Sequence, residues 1–314
     1  MVYLRKQMEN FQTVAMQVGI LFSLMGVGAV CRWAKLVDES SVKGMVNVLL
    51  LVVTPCLMVD VFQRPFDPSM LKSLGTAFAI ALCVHAFMIT LSAQILKRVH
   101  QDRRVVLKLA AVFSNAGFMG IPLEQAILGD EGVFFGVVYV VVFNLLIWSW
   151  GLAVMGGSVN RRMMLINPGT VGVVLGLPLF LLSVKLPAAL AAPVSMIADL
   201  NTPLAMIVTG YYLAGAKLFS VIVSPVAYVT AFLRLLLCPL VVVAALYPFR
   251  SQLDREMMLA LVIPASAPVA AMVTMFASKY RRDVDMSVGI VCGTTILSIL
   301  TMPAIIALAM EILK

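Results

Sequence analysis

Long apolar runs alternate with short polar segments along the chain. RWAKLVDESSVK, QRPFDPS, KRVHQDRR and LGDEG each combine charged residues with turn-forming residues. The runs between them have the length of about 20 residues that an α-helix needs to cross the hydrocarbon core of a bilayer. We predict ten spans: Phe11–Val30, Gly44–Phe62, Leu71–Leu96, Val105–Leu128, Val133–Gly156, Gly169–Val184, Val194–Leu213, Phe219–Tyr247, Glu256–Phe276 and Val284–Leu313.

Composition agrees with this pattern. Of the 314 residues, 62% are hydrophobic and 12% are charged, whereas soluble domains have about 45–50% apolar and about 25% charged residues. No hydrophilic stretch is long enough for a separate soluble domain. The basic start MVYLRKQMEN resembles a signal peptide, but the run after it has full spanning length and no convincing cleavage site. We therefore predict an all-α integral membrane protein with one membrane domain.

The distribution of charge indicates membrane topology rather than a charged partner. The net charge is +8, yet the Lys and Arg residues are scattered through loops at span ends, so we expect no nucleic-acid partner. Loops on the face opposite the termini carry more of them, including KRVHQDRR and SKYRRDVD. The positive-inside rule then predicts that these loops are cytoplasmic and that both termini lie outside. Isolated cysteines and only two histidines predict no metal site and no cofactor.

The two halves of the chain look related. VVTPCLM at Val52–Met58 matches LNTPLAM at Leu200–Met206, and RRVVLKLAAVFSNAG from Arg103 matches DREMMLALVIPASAP from Asp254. Each half holds five predicted spans, an odd number, so the halves must have opposite orientations in the membrane. We divide the chain into a first repeat (1–156), a short cytoplasmic linker (157–168) and a second repeat (169–314). Inverted repeats with paired interrupted helices are typical of secondary transporters.

The fourth predicted span is interrupted by SNAGFMGIPL, which begins at Ser114. Pro122 lacks an N–H group and so deprives one carbonyl of its helical donor, while Gly117 and Gly120 let the backbone deviate at little cost. Backbone polar groups freed in hydrocarbon must face protein or a wet cavity. Asn115 adds a side-chain acceptor and two donors at the same place. These residues are our first candidates for a substrate site.

The ninth predicted span repeats the interruption in PASAPV, which contains Pro264 and Pro268. The repeat alignment places Ser266 opposite Asn115. Two such helices would cross, and their half-helix N-termini would offer partial positive charge to an anionic ligand near the membrane centre. Proline and glycine are also common in membrane helices that are simply kinked, and this alternative stays open. The pairing of the interruptions within a repeat favours the crossing.

Several ionisable residues lie inside or near the predicted spans. Arg234, in the middle of the eighth span, either contacts a substrate anion or coupling ion, pairs structurally, or snorkels. His85 maps beside Arg234 in the repeat and is either a carrier of a coupling proton or a packed histidine. Asp60 and Asp199 lie near span ends and are either interfacial or proton carriers. We interpret Glu124, near the outer end of the fourth span, as loop or vestibule charge.

Neutral polar residues complete the candidate site. Asn144 in the fifth span either lines the same cavity or bonds to a neighbouring helix. A Thr-Pro pair recurs in the second and seventh spans and either faces the cavity or relaxes a helix bend. The residues concerned are Thr54 and Pro55 in the first half, and Asn201, Thr202 and Pro203 in the second.

Two stretches resemble the auxin efflux carrier family of transporters: SNAGFMGIPLEQAILGDEGVFFGVVYVVVFNLLIWSWG and PASAPVAAMVTMFASKYRRDVDMSVGIVCGTTILSILTMP. The most specific part is the S-N-x-G-x-x-G-I-P-L block, followed by a GDEG turn and YVVVFN. The resemblance implies two inverted five-helix repeats with broken helices four and nine that cross, as in bile acid symporters and sodium/proton antiporters. Helices one, two, six and seven would form a scaffold, often dimeric. The other helices would form a transport domain that moves like an elevator.

The short linker GGSVNRRMMLINPG is typical of a bacterial member, because plant members have a long hydrophilic loop there. The resemblance then implies a multi-pass protein of the bacterial inner membrane that carries small organic anions. These would be malonate, malate or similar carboxylates, or auxin-like weak acids. The partners would be the anion, the lipid bilayer and a second copy of the chain. Ser266 stands where a second asparagine would be expected, which leaves the substrate contacts open.

Other classes of function have less support. The sequence has no GxxxxGK[ST] loop for an ATP-driven pump. GxSxG and HExxH are absent, so a membrane enzyme would rely on isolated residues such as His85. We therefore predict no enzymatic activity. A membrane sensor that binds a ligand without moving it is the main alternative to a secondary transporter.

Overall fold

The computed structural model describes residues 2–157, 168–215 and 224–314, and within these ranges the chain forms helices and no strand. Apart from its end residues, the predicted linker at 157–168 lies outside the described residues, as does the predicted start of the eighth span at Phe219. The α-helices are α1 (Val2–Trp33), α2 (Glu39–Val48), α3 (Thr54–Val61), α4 (Pro68–Ile95), α5 (Gln101–Val112), α6 (Ile121–Leu146), α7 (Leu152–Met155), α8 (Pro168–Leu181), α9 (Ala188–Ala198), α10 (Asn201–Ala214), α11 (Pro225–Phe232), α12 (Cys238–Leu246), α13 (Arg255–Ser266), α14 (Met272–Lys279) and α15 (Val284–Ile312).

π-Helical turns join several of these helices into longer segments. They lie at Leu49–Val53, Ala116–Gly120, Ile147–Gly151 and Leu233–Leu237. Counted as continuous segments, seven helices in the described ranges are long and apolar enough to cross a membrane, and Thr170–Leu181 is a shorter apolar helix. The described part of the chain is therefore all-helical, as in a multi-pass membrane protein. The seven segments are Phe11–Trp33, Glu39–Val61, Pro68–Arg98, Ala116–Met155, Ala188–Ala214, Pro225–Phe249 and Val284–Ile312.

Side-chain caps fix where two of the helices begin. Asp38 accepts the backbone N–H of Ser41 at 2.7 Å, and Asp67 accepts that of Ser69 at 2.8 Å. These backbone hydrogen bonds hold the pKa of both aspartate carboxyls below the ordinary value. Pro68 follows in the first turn of α4, where a missing N–H costs nothing.

The longest apolar segment reverses direction inside α6. Gly129 has φ 68° and ψ −158°, a backbone conformation that is essentially restricted to glycine. In a straight helix the Cα atoms of residues 124 and 136 would lie about 18 Å apart. Instead the Glu124 carboxylate reaches Gly136, where a Cβ atom would lie 1.8 Å from its Oε2 atom. The α6 hairpin is thus two packed arms that meet at the turn predicted in LGDEG.

Burial separates central from peripheral segments. The most apolar window of Ala116–Met155 is 67% buried and that of Pro225–Phe249 is 56% buried, whereas those of Phe11–Trp33 and Ala188–Ala214 are each 28% buried. A large apolar core joins α4, α5, α6, α12, α13 and α15. A second apolar cluster joins α1 and α10 to the turn Ala116–Gly120 through Met119, and to the first arm of the α6 hairpin (residues 121–128) through Leu123.

Small residues bring the peripheral helices α1 and α10 together. A Cβ atom on Gly28 would lie 2.0 Å from the carbonyl oxygen of Ile207, and one on Gly210 would lie 1.9 Å from that of Met25. Such close backbone approach is a common way for helices to pack within a bilayer. The two helices therefore form one tightly joined pair.

Several predicted boundaries were wrong. The first membrane segment begins at Phe11 as predicted, although α1 itself starts at Val2, whereas the second begins at Glu39 rather than at Gly44. Hydrophobicity marks only the part of a helix that lies in hydrocarbon, whereas these helices continue through polar residues. The predicted seventh span likewise begins too late, because α9 starts at Ala188.

Candidate functional site

The two predicted interruptions lie against each other. After α5 and α13 end, Ser114 and Val269 form an isolated antiparallel bridge. The backbone N–H of Asn115 donates to the carbonyl of Pro268 at 2.7 Å, and a second backbone bond across the bridge is 3.0 Å long. Each interruption therefore satisfies backbone groups that the other has released, as membrane depth requires.

Two helical segments begin on one side of this bridge. One is the π-helical turn Ala116–Gly120, which continues into α6, and the other is α14. The first N–H groups of a helix have no acceptor within it, and a helix N-terminus carries about half of a positive elementary charge. The two N-termini together therefore supply roughly one positive charge to the space beside them.

Two helices end on the opposite side of the bridge, and Arg234 binds both ends. Its guanidinium group donates to the carbonyl of Val112, the last residue of α5, at 2.8 Å and to the carbonyl of Ala265 near the end of α13. A third bond reaches the Sγ atom of Cys238 at 3.1 Å. Arg234 is 0% exposed and pairs with no acidic side chain in the described ranges.

The charges around Arg234 nevertheless balance. Each helix C-terminus carries about half of a negative elementary charge, so two such ends offset one guanidinium. Of the three roles that the sequence leaves open for Arg234, the contacts in this conformation are those of a structural pair. Arg234 is not among the residues that line the cavity beside the bridge.

A cavity of about 320 Å³ lies beside the two helix N-termini. Its wall is mostly apolar, with Phe118, Phe143 and Trp148 among the larger side chains, and contains no charged side chain among the described residues. A volume of this order suits a small ligand. The polar side chains in the wall are Asn47, Thr54, Ser114, Asn115, Asn144 and Asn201.

Some of these polar groups have free hydrogen-bonding capacity. Ser114 Oγ and Asn201 Nδ2 are buried and lack a geometric hydrogen-bond partner within the described ranges. Thr54 Oγ1 instead donates to the Leu49 carbonyl at 2.8 Å, and Asn144 Nδ2 donates to the carbonyl one turn earlier at 2.9 Å. The Ser114 hydroxyl and the Asn201 amide nitrogen therefore have no geometric hydrogen-bond partner among the described residues, and both atoms are covered by neighbouring atoms in this conformation.

The predicted site residues fall into two sets. Ser114, Asn115, Gly117, Asn144, Thr54 and Asn201 line the cavity. The remaining candidates do not line it: Gly120, Pro122, Pro264, Ser266, Pro268, Arg234, Pro55, Thr202, Pro203, His85, Asp60 and Asp199.

Packing explains why several candidates lie outside the cavity. A Cβ atom on Gly120 would lie 3.1 Å from the side chain of Pro264, so these two residues hold the interrupted helices together. Ser266 is still within α13, where its hydroxyl group donates to the Ile263 carbonyl at 2.7 Å. The second interruption thus comes later in the chain than the repeat alignment predicts. Asn115 lines the cavity, whereas Ser266, its counterpart in the alignment, does not.

The π-helical turns surround the site. Leu49–Val53, Ala116–Gly120 and Ile147–Gly151 each contribute residues to the cavity wall, and Leu233–Leu237 contains Arg234. A π turn adds one residue to a helical turn and is often found at functional sites. Three of the described π-helical turns thus bring irregular backbone to the wall of the cavity.

The sequence interpretation missed Asn47 and misjudged Glu124. Asn47 lines the cavity, and its signal was a single amide inside the apolar run GMVNVLL. Glu124 is 0% exposed, so the interpretation as vestibule charge was wrong. Its signal was its position inside the predicted span Val105–Leu128, since an ionisable residue within a span is a functional candidate by default.

His85 lies behind the bridge with other buried polar groups. Its Nδ1 atom is 2.8 Å from the Ala81 carbonyl, and a carbonyl only accepts, so Nδ1 carries the hydrogen. The ring lies 4.9 Å from that of Tyr139. His85 Nε2 has no hydrogen-bond partner among the described residues. A coupling role for His85 stays a prediction.

A wider groove of about 960 Å³ lies between the loop after α4 and the loop before α15. Its charged side chains are largely paired with one another: Arg103 binds Asp283 at 3.0 Å and Arg282 binds Asp102 at 2.8 Å. These pairs join the two basic loops. They leave the groove with less free charge than its arginines alone would give.

Comparison with known families identifies the chain. A family model described as membrane transport protein matches residues 13–164 and residues 154–306. No curated protein sequence matches the chain. The two matched stretches extend from the first predicted span into the tenth and meet where the two repeats are predicted to join. The chain therefore belongs to the membrane transport protein family, the auxin efflux carrier family that its interrupted fourth span resembles.

Proposed function

We propose that the chain is a secondary carrier of small organic anions and that it binds the anion in the cavity beside the bridge. The observation that carries this proposal is the convergence of two helix N-termini on a cavity whose described wall has no charged side chain. Helix N-termini bind carboxylates and phosphates through free N–H groups and the helix dipole. The helix N-termini attract an anion although the described wall has no arginine or lysine side chain. A full positive charge in the wall would bind the anion more tightly and slow its release.

The size of the positive charge bears on which anion binds. Two helix N-termini supply roughly one positive charge, which balances one carboxylate better than two. The wall is mostly apolar and carries Phe118, Phe143 and Trp148. Within the set of malonate, malate and auxin-like weak acids, these features favour a monoanion with an apolar body. Dicarboxylates would bind best when one carboxyl group is protonated.

The architecture that we propose has ten membrane segments in two inverted repeats. The reversal at Gly129 supports it, because it divides one long apolar segment into two, and the bridge supports crossing of the fourth and ninth segments. Segments one, two, six and seven would form a scaffold and the others an elevator-like transport domain. The packing of the first α6 arm against α1 and α10 would then be the sliding contact.

The proposal also covers the membrane, the orientation and the oligomeric state of the protein. We place the protein in a bacterial inner membrane with both termini outside, as a homodimer. The low burial of the segments Phe11–Trp33 and Ala188–Ala214 is consistent with contacts to lipid or to a second copy.

Transport in proteoliposomes tests the function. Purified protein is reconstituted, and uptake of radiolabelled malonate, malate and phenylacetate is compared with uptake into protein-free liposomes. We expect saturable uptake of at least one of these acids. Tight binding without flux would instead establish the alternative function, a membrane sensor. If the protein neither binds nor transports any of these acids, the assignment as a carrier of organic anions is refuted.

A further inference from the structure

Glu124 is a buried acid without a partner. Its side chain is 0% exposed, and neither carboxylate oxygen has a hydrogen-bond partner among the residues that the structure describes. No basic side chain in the described ranges forms an ion pair with it. An ionised carboxylate is far more costly to bury in this way than the neutral acid. The carboxyl group is therefore neutral in this conformation.

Gly136 provides the space that the carboxyl group occupies. A Cβ atom at this position would lie 1.8 Å from one carboxylate oxygen of Glu124 and 2.3 Å from the other. Any residue larger than glycine would displace the acid, so the two arms of the α6 hairpin form a niche of the right shape for it. Leu123, the preceding residue, packs into the cluster that α6 shares with α1 and α10. The niche thus lies beside the proposed sliding contact.

The ionisable side chains on the helices around α6 do not bind Glu124. Arg32 on α1 donates to the Tyr211 carbonyl, and Arg255 on α13 donates to the Met310 carbonyl. The others on these helices, none of which is bonded to the Glu124 oxygens, are Asp60 on α3, Lys72 and His85 on α4, Asp130, Glu131 and Tyr139 on α6, Tyr211 and Tyr212 on α10 and Glu256 on α13.

We propose that Glu124 is a proton-binding residue that couples protonation to the conformational cycle of the carrier, a role that rests on the proposed transport function. Only the protonated protein can adopt the packed conformation. Deprotonation needs water at the carboxyl group, so the first arm of the hairpin must first separate from α1 and α10. The O–H bond then breaks, its electron pair stays on oxygen and the proton passes to water. One proton that moves with one monoanion transfers no net charge.

Infrared spectroscopy of the protein in lipid tests the protonation state without any ligand. We expect the wild type to show the carbonyl stretch of a protonated carboxyl group at neutral pH. Glu124→Gln should remove this band, and Glu131→Gln, the same change at an exposed carboxylate of the hairpin turn, should keep it. A wild-type spectrum without the band, or a band that survives in Glu124→Gln, overturns the proposal. The wild-type spectrum decides even if Glu124→Gln fails to fold.

Hydrogen exchange tests the conformational step. Exchange of the amides at residues 121–136, corrected for its intrinsic pH dependence, should rise in the wild type by up to about tenfold per pH unit once the acid ionises. It should be independent of pH in Glu124→Gln and unchanged from wild type in Glu131→Gln. Equal pH dependence in all three proteins overturns the proposal.

Transport separates this proposal from the function on which it rests. An inward acid gradient should accelerate uptake by the wild type and leave uptake by Glu124→Gln unchanged. If the rate of uptake does not depend on the pH gradient in either protein, the role of Glu124 is refuted and the carrier function is not affected. Absence of all uptake refutes the carrier function, whereas the infrared and exchange results still decide the protonation of Glu124.

Discussion

Arg234 is a buried charged residue whose partners are two backbone carbonyls and the Sγ atom of Cys238. A lone buried guanidinium is costly, yet here the ends of α5 and α13 supply both acceptors and compensating charge. The arrangement separates the charges of the interrupted helices: their positive ends face the cavity and their negative ends face Arg234. Of the alternatives that the sequence leaves open for Arg234, these contacts favour structural pairing, and the role of the residue stays a prediction.

Arg234→Gln should therefore lower stability rather than affinity. We expect a loss of about 2–5 kcal/mol in the free energy of unfolding, because two carbonyls and two helix ends lose their partner. Thermal unfolding in detergent measures it. Arg32→Gln, the same change at a half-buried arginine, should cost less than about 1 kcal/mol. Normal stability combined with lost anion binding in Arg234→Gln would show that Arg234 contacts the substrate.

At the scale of single residues, some positions could be predicted from the sequence and others could not. Asn115 was found because an amide beside glycine and proline in an apolar run is conspicuous. Ser266 lies outside the cavity because α13, although it has the same length as α5, is shifted towards the C-terminus in the frame of the repeat alignment. Glu124 was misjudged because the fold-back of the α6 hairpin, which buries it against Gly136, is invisible in a linear pattern.

At the scale of elements, the reversal at Gly129 decides how α6 packs. Gly129→Ala should cost about 1–3 kcal/mol of unfolding free energy, because φ 68° and ψ −158° suit only glycine. The space around Gly129 is open, so the cost comes from the backbone alone. Gly75→Ala, in the open interior of α4, should leave stability unchanged or raise it by about 0.5–1 kcal/mol. Equal effects of the two changes in thermal unfolding would contradict the hairpin.

The sequence predicts the type and approximate position of the helices more readily than the irregular segments that connect them. Hydrophobic length predicts helices, and the turn at LGDEG is marked by two charged residues between glycines. The π-helical turns are not predictable in this way, because they depend on how Ala116–Gly120 or Leu233–Leu237 pack against other helices. Much of the candidate site is formed by these irregular segments.

At the scale of the whole molecule, the pair formed by α1 and α10 is expected to stay fixed while the α6 hairpin moves. Gly28→Ala should destabilise the protein by about 1–3 kcal/mol, because a Cβ atom would lie 2.0 Å from the Ile207 carbonyl oxygen. Gly26→Ala, on the same helix with open space around it, is the matched control and should be neutral or stabilising. Comparable melting temperatures for the two variants would argue against a tightly joined pair.

The central claim is that the paired helix breaks form an anion site. Its most direct test is the affinity of the purified protein for malonate and phenylacetate, measured from ligand-dependent thermal stabilisation. We predict that Asn115→Ala weakens binding by about tenfold or more, the effect of one lost hydrogen bond to a charged ligand. Ser266→Ala, at the second break but outside the cavity, should bind like the wild type. Unchanged affinity in Asn115→Ala, with binding intact in the wild type, would place the anion elsewhere and contradict the account.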